Sequence, residues 1–268
     1  MSLATIAGLS TSGAARAQGG GAGYEMAHGD AAHQRDMRSL PLLKFGLVMF
    51  PNMTALDLVA PQLLMATMMR TEVHLLARTL DPVETDSRLS ILPTGTFADC
   101  PPDLDVFFVP GGPRGTETAL LDDTLLNFIA TAGASARYVT SVCTGSVLLA
   151  AAGLLDGYRA ASYWGTREIL PLFGATPVED RVVLDRNRIT GGGLTAGLDF
   201  GLILSKELRG EETARLQELV LEYDPQPPFK GGTPRTARPD TLALAKRVLA
   251  RDLGAIRAAA GQAKARRG

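Results

Sequence analysis

Short unbroken apolar runs, each about the length of one β-strand, alternate along this chain with longer stretches of helical periodicity. Residues 45–50 (Phe-Gly-Leu-Val-Met-Phe), 73–77, 105–109 and 138–142 are such runs. Apolar side chains at successive positions suit strands of a parallel sheet buried on both faces. Between and after them, helices are predicted over residues 54–70, 122–136, 145–153, 166–173, 195–208 and 211–222. Thr54 is placed to cap the first, and Pro61 inside it is expected to kink or break it. Residues 89–97 read as a hairpin-like excursion, 159–162 as a short strand, and 178–190 as a hairpin closed by Gly191-Gly192-Gly193. Strand–helix alternation with right-handed crossovers predicts one flavodoxin-like, doubly wound α/β domain over residues 41–223, with helices on both faces.

The two ends differ from this pattern. After Tyr223 come Pro225, Pro227, Pro228, Gly231, Gly232 and Pro234, which exclude regular structure and predict an extended arm. A terminal helix over 242–259 follows, with Leu242, Val248, Leu249, Leu253 and Ile256 on a loose apolar stripe. Residues 224–268 are thus expected to pack on the domain or on a dimer partner. Residues 1–40 are set apart as a tail and a Gly-containing linker. The segment ending Ala15-Arg16-Ala17 has the small residues of an export cleavage site but lacks a basic start. A remnant signal, which implies the periplasm, and a plain disordered tail, which fits the cytoplasm, both stay open.

Composition narrows the function. A net charge of -1 and a pI near 6.3 give no basic footprint for nucleic acid or for a membrane surface. No run approaches the roughly 20 apolar residues of a membrane span. Two cysteines and three histidines exclude a disulfide framework and make a Cys- or His-rich metal site a poor expectation. Two of the histidines, His28 and His33, lie in the tail, and His74 falls inside a predicted strand.

The chemistry concentrates at Cys143. The strand ending at Val142 runs into Cys143-Thr144-Gly145 and a helix, with small Ser141 and Gly145 flanking the cysteine as in a nucleophile elbow. A helix N-terminus there favours a thiolate, and the N–H groups of Gly112 and Thr144 are candidate holders of a developing negative charge. An inert core cysteine is the competing reading. Cys100 precedes its strand whereas Cys143 follows its own, which separates them by roughly 17 Å, outside disulfide reach. With histidine scarce, Asp57, at the same sheet edge among apolar neighbours, is the candidate acid/base; simple helix capping is its alternative.

These motifs resemble the ThiJ/PfpI superfamily, of class I glutamine amidotransferase-like fold. They are Phe50-Pro51-Asn52 with Leu56-Asp57, Val109-Pro110-Gly111-Gly112, Ser141 to Gly145, Ala151 to Leu155, and Gly192 to Gly197. Asp185 to Gly193 and Leu221 to Pro225 with Pro227-Pro228-Phe229 are similar to its isonitrile hydratase subgroup. The resemblance implies a lyase that hydrates isonitriles to N-substituted formamides without metal or organic cofactor, and a homodimer. It implies Cys143 as nucleophile, Asp57 as acid/base and Thr144 as the adjacent essential residue, with Gly112 and Tyr163 against the substrate. Tyr163 stands where the family usually has histidine. A glyoxalase- or deglycase-like enzyme and a redox or ligand sensor using Cys143 remain the alternatives. An AraC-type regulator shares the motifs, but only about thirty residues follow the arm here, too few for its paired helix-turn-helix units.

Overall fold

The computed structural model describes residues 39–267, so the tail and linker expected over 1–40 lie almost wholly outside the described residues. A seven-stranded sheet forms the centre. Its strands are β1 (Leu43–Val48), β2 (Thr71–Ala77), β5 (Gly95–Thr96), β6 (Val106–Val109), β7 (Tyr138–Ser141), β10 (Val182–Asp185) and β11 (Arg188–Gly191), in the order β10-β11-β7-β6-β1-β2-β5. Every pairing is parallel except β10 with β11. The five strands β2-β1-β6-β7-β11 carry the flavodoxin order, and β5 and β10 extend its two edges. Two-residue strands β3 (Val83–Glu84) and β4 (Ser90–Ile91) pair outside the sheet, as do β8 (Arg159–Ala160) and β9 (Thr176–Pro177).

Helices cover both faces. On one lie α1 (Ala55–Thr67), α5 (Ala196–Arg209) and α6 (Glu211–Val220). The other carries α2 (Pro113–Leu120), α3 (Asp123–Ser135), α4 (Gly145–Ala151) and α7 (Pro239–Arg267). Phe45, Leu47, Phe107, Phe108 and Phe200 are fully buried between the layers, as the apolar runs require.

Several local expectations change. Pro61 does not break α1, which runs through it to Thr67. Thr54 sits at the N-cap position, but its hydroxyl donates to Asp86 rather than capping the helix. The excursion over 89–97 begins with β4, which pairs antiparallel with β3 as one arm of a hairpin, and ends in edge strand β5. The segment 166–173 is a 3-10 helix (Arg167–Phe173). Helix α2 has no counterpart in the sequence reading. Pro113 occupies its first turn, where a missing N–H costs nothing, and packing against α7 compensates for its poor helix formers. The terminal helix is longer than expected, and of the expected stripe Leu242, Leu249, Leu253 and Ile256 turn inward while Val248 does not. Ile256, Ala259, Ala260 and Ala263 are its buried residues, while Val248 is 70% exposed.

Candidate active site

The chain leaves β1 outward to β2 and then returns to β6 on the opposite flank of β1. Strand order therefore reverses between β1 and β6, and the carboxyl ends of the strands open into a crevice there. Three turns converge on it. The turn after β1 leads into Asp57 on the first turn of α1, the turn after β6 is Pro110-Gly111-Gly112, and the turn after β7 carries Cys143. Thr54 N–H donates to Gly111 O at 2.9 Å and ties the first two together.

Cys143 adopts φ +56°, the left-handed region that costs an L-residue roughly 1–2 kcal/mol. Its surroundings hold it there. Cys143 N–H donates to Gly192 O at 2.6 Å and approaches Gly191 O at 3.2 Å. Cys143 O accepts from Tyr163 N–H at 3.3 Å, Ser146 Oγ at 3.2 Å and Ser162 Oγ at 3.3 Å. Gly145 is needed for close approach, since a Cβ there would lie 2.2 Å from Val109 O. These are the physical reasons for small residues around the cysteine.

Thr144 joins the next turn to this one. Its Oγ1 accepts Gly112 N–H at 2.9 Å and lies 2.7 Å from Thr116 Oγ1 in a buried pair of hydroxyls. Gly112 N–H is therefore committed to Thr144, which corrects the expected pairing of Gly112 and Thr144 N–H groups around an anion. Gly112 shapes the site through Thr144 instead. Replacing Thr144 by valine should leave a buried donor unmatched, costing about 1–3 kcal/mol in urea unfolding and lowering activity with it.

Asp57 is fully buried. A Cβ on Gly111 would lie 2.7 Å from Thr144 Oγ1 and 2.9 Å from Asp57 Oδ2, so only glycine fits between these two groups. Burial pushes the Asp57 carboxyl up to about 7, against the pull of the Cys143 thiol and Gly111 N–H. Neither of its oxygens closes a hydrogen bond of full geometry, so the desolvation is poorly offset. Burial likewise raises the Cys143 thiol well above the ordinary cysteine range, and the Asp57 charge adds to it. Thr144 N–H and hydroxyl counter this only in part. Desolvation in the crevice thus works against the thiolate expected from the helix N-terminus.

The structure brings Cys143, Asp57, Thr144 and Gly112 together. Tyr163 joins them from 159–163, half-buried, with its ring 5.4 Å from that of Trp164 and its phenol raised by burial and by Cys143. Cys100 stays apart as a half-buried free thiol beside Pro101 O, and His74 lies on β2, 3.8 Å from Glu72. Sequence reasoning missed Thr116, Ser146 and Ser162, whose hydroxyls hold the turns in place. Only Ser146 carried a signal, since it falls in the first turn after the cysteine. No group of three or more His, Cys, Asp or Glu among the described residues is arranged to hold a metal ion, and none of their helices is long and apolar enough to cross a membrane.

The model of the DJ-1/PfpI family matches residues 44–207. An isonitrile hydratase of Pseudomonas putida is 50% identical over 195 residues, 73% of this chain and 85% of that protein. The transcriptional regulator GbdR of Pseudomonas aeruginosa is 32% identical over 126 residues, 46% of this chain but 34% of the regulator. Among solved structures, a ThiJ/PfpI family protein from Pseudomonas syringae superposes with a TM-score of 0.83 at 44% identity, covering 89% of this chain and 99% of that one.

Proposed function

The chain belongs to the DJ-1/PfpI family, and from that premise we propose that it is an isonitrile hydratase, a lyase that uses Cys143 as nucleophile and Asp57 as acid/base. One observation carries the reading: a buried carboxyl poised near neutrality faces a buried thiol, with no histidine among the groups that shift either one. The likeness to the Pseudomonas putida enzyme supports the substrate class.

In the proposed reaction the Asp57 carboxylate accepts the thiol proton as sulfur attacks the terminal carbon of R–N≡C, then delivers that proton to the same carbon. The product is the thioimidate R–N=CH–S–Cys143. Asp57 next removes a proton from water as its oxygen adds to this carbon, and passes that proton to the imine nitrogen. Collapse of R–NH–CH(OH)–S breaks the C–S bond, releases the formamide R–NH–CHO and returns the proton to sulfur. Thr144 holds the two turns in register, and Tyr163 lines the approach to Cys143. A homodimer belongs to the same proposal. Leu56, Val59 and Leu63 lie on one face of α1 and are each more than 40% exposed, and sedimentation velocity at micromolar concentration reads the oligomeric state.

Incubation with cyclohexyl isocyanide, followed by proton NMR, should show the formamide appearing with turnover. Methylglyoxal in parallel tests the glyoxalase-like alternative, and turnover of the aldehyde without any formamide would reject the hydratase reading.

A further inference from the structure

A second cavity, of about 490 Å³, lies between Trp164, Gly165 and Arg167, the arm at Thr233-Pro234-Arg235, and α7. That volume is within the ordinary range for small-molecule sites. Its walls do not include Cys143, Asp57 or Tyr163. Apolar surface comes from Trp164 and, on α7, from Leu242 and Leu253. Lys246, one turn after Leu242, adds a cation that forms no ion pair with any described residue.

The charges around this cavity are unevenly matched. Glu179 is shared by Arg167 at 3.2 Å and Arg235 at 4.0 Å, and Glu168 pairs with Arg257. Both wall carboxylates are therefore occupied, while Lys246 is left over. Arg167 is also only partly used: Glu179 approaches its guanidinium at 3.2 Å without a hydrogen bond of full geometry, so its terminal N–H groups keep donors to spare. A guanidinium in a cavity wall with terminal donors to spare suits an acceptor, and a planar carboxylate is the acceptor its geometry fits.

We propose that this cavity binds a carboxylate with an apolar body, its charged head on Arg167 and Lys246 and its chain along Trp164, Leu242 and Leu253. The occupant would be felt at the crevice. Trp164 packs on Tyr163, and Tyr163 N–H is one of the donors that hold Cys143 O. The cavity is thus a site for an amphiphilic effector, separate from the isonitrile-reacting crevice.

Trp164 is the sole tryptophan of the chain, so intrinsic fluorescence reports this cavity directly. Titration with octanoate below its micelle concentration should give a saturable change in emission. Octanamide and octylammonium, which lack the anionic head, should bind at least about tenfold more weakly, and Lys246→Ala should weaken octanoate by about fivefold. Lys246 is exposed on a helix, so this variant should fold normally. Cys143→Ala should bind octanoate as the native chain does, which keeps the result independent of the hydratase reading. Absence of a saturable response, equal binding of octanamide, or unchanged affinity in Lys246→Ala would each overturn the proposal.

Discussion

Cys143→Ala is expected to lower kcat/KM for isonitrile hydration by at least about a thousandfold, because the proposed covalent route through the thioimidate would disappear. The protein should remain folded. Cys143 lies in the left-handed region, where alanine suffers the same strain, and the contacts that fix this turn are backbone groups and the hydroxyls of Ser146 and Ser162. Removing one buried sulfur should cost about 1–2 kcal/mol in denaturant unfolding. Mass spectrometry of the native enzyme, quenched during turnover, should show the thioimidate adduct on Cys143 and none in the variant. Full activity in Cys143→Ala would mean that Asp57 activates water directly on the isonitrile, and the nucleophile assignment would fall.

Asp57→Asn should separate activity from stability. Loss of the proton carrier is expected to reduce kcat by roughly 10²–10⁴-fold. The proposed reaction needs one proton on the Cys143–Asp57 pair, so kcat/KM of the native chain should rise with pH through about 7, where the carboxyl ionises. Asparagine removes that ascending limb. Stability should move the other way. The folded-state value of about 7 lies above the model value of 3.8, so the native state binds this proton more tightly than the unfolded chain does. Native stability therefore falls as pH rises from about 4 to about 7, and the full cost, up to a few kcal/mol, is present above that window. An uncharged asparagine carries no such cost. Denaturation at pH 8 should find Asp57→Asn more stable than the native chain, and the advantage should shrink toward pH 4. Equal pH dependence of the two proteins would show that Asp57 is not desolvated in solution.

The trade follows from the packing. Asp57 falls on the inward face of α1 together with Leu58, Pro61 and Leu64, so the fold buries a carboxyl where an apolar residue would be more stable. Asp86 lies close enough for its charge to raise the carboxyl further, while the Asp86 side chain itself accepts a hydrogen bond from Thr54.

Much of the framework was legible in the residues themselves. The apolar runs at β1, β2, β6 and β7 announced buried parallel strands, since a strand covered on both faces has no polar side to show. Small residues around Cys143 announced a tight strand-to-helix turn, and the approach of Val109 O to Gly145 shows why. Helix α2 was hidden because Pro110-Gly111-Gly112-Pro113 ends one element and starts the next within four residues, and its stability comes from α7, far along the chain. Pro61 misled for the opposite reason: its ring meets Gly197 of α5, and this tertiary contact helps hold the helix through the proline.

The sequence by itself determined the sheet, the placing of Cys143 and Asp57 at its carboxyl edge, and the poverty of histidine that leaves a carboxyl as the thiol's partner. These are local matters of periodicity, residue size and composition. Only the tertiary structure decided the state of those two groups. A helix N-terminus beside a cysteine favours the thiolate, yet Cys143 is buried among segments carrying Asp57, Tyr163 and Gly191–Gly192, and that burial pushes its thiol up. The tertiary structure also committed Gly112 N–H to Thr144 and set Thr116 beneath it. Desolvation is the sum of everything packed around a group, and no spacing along one strand or helix contains that sum.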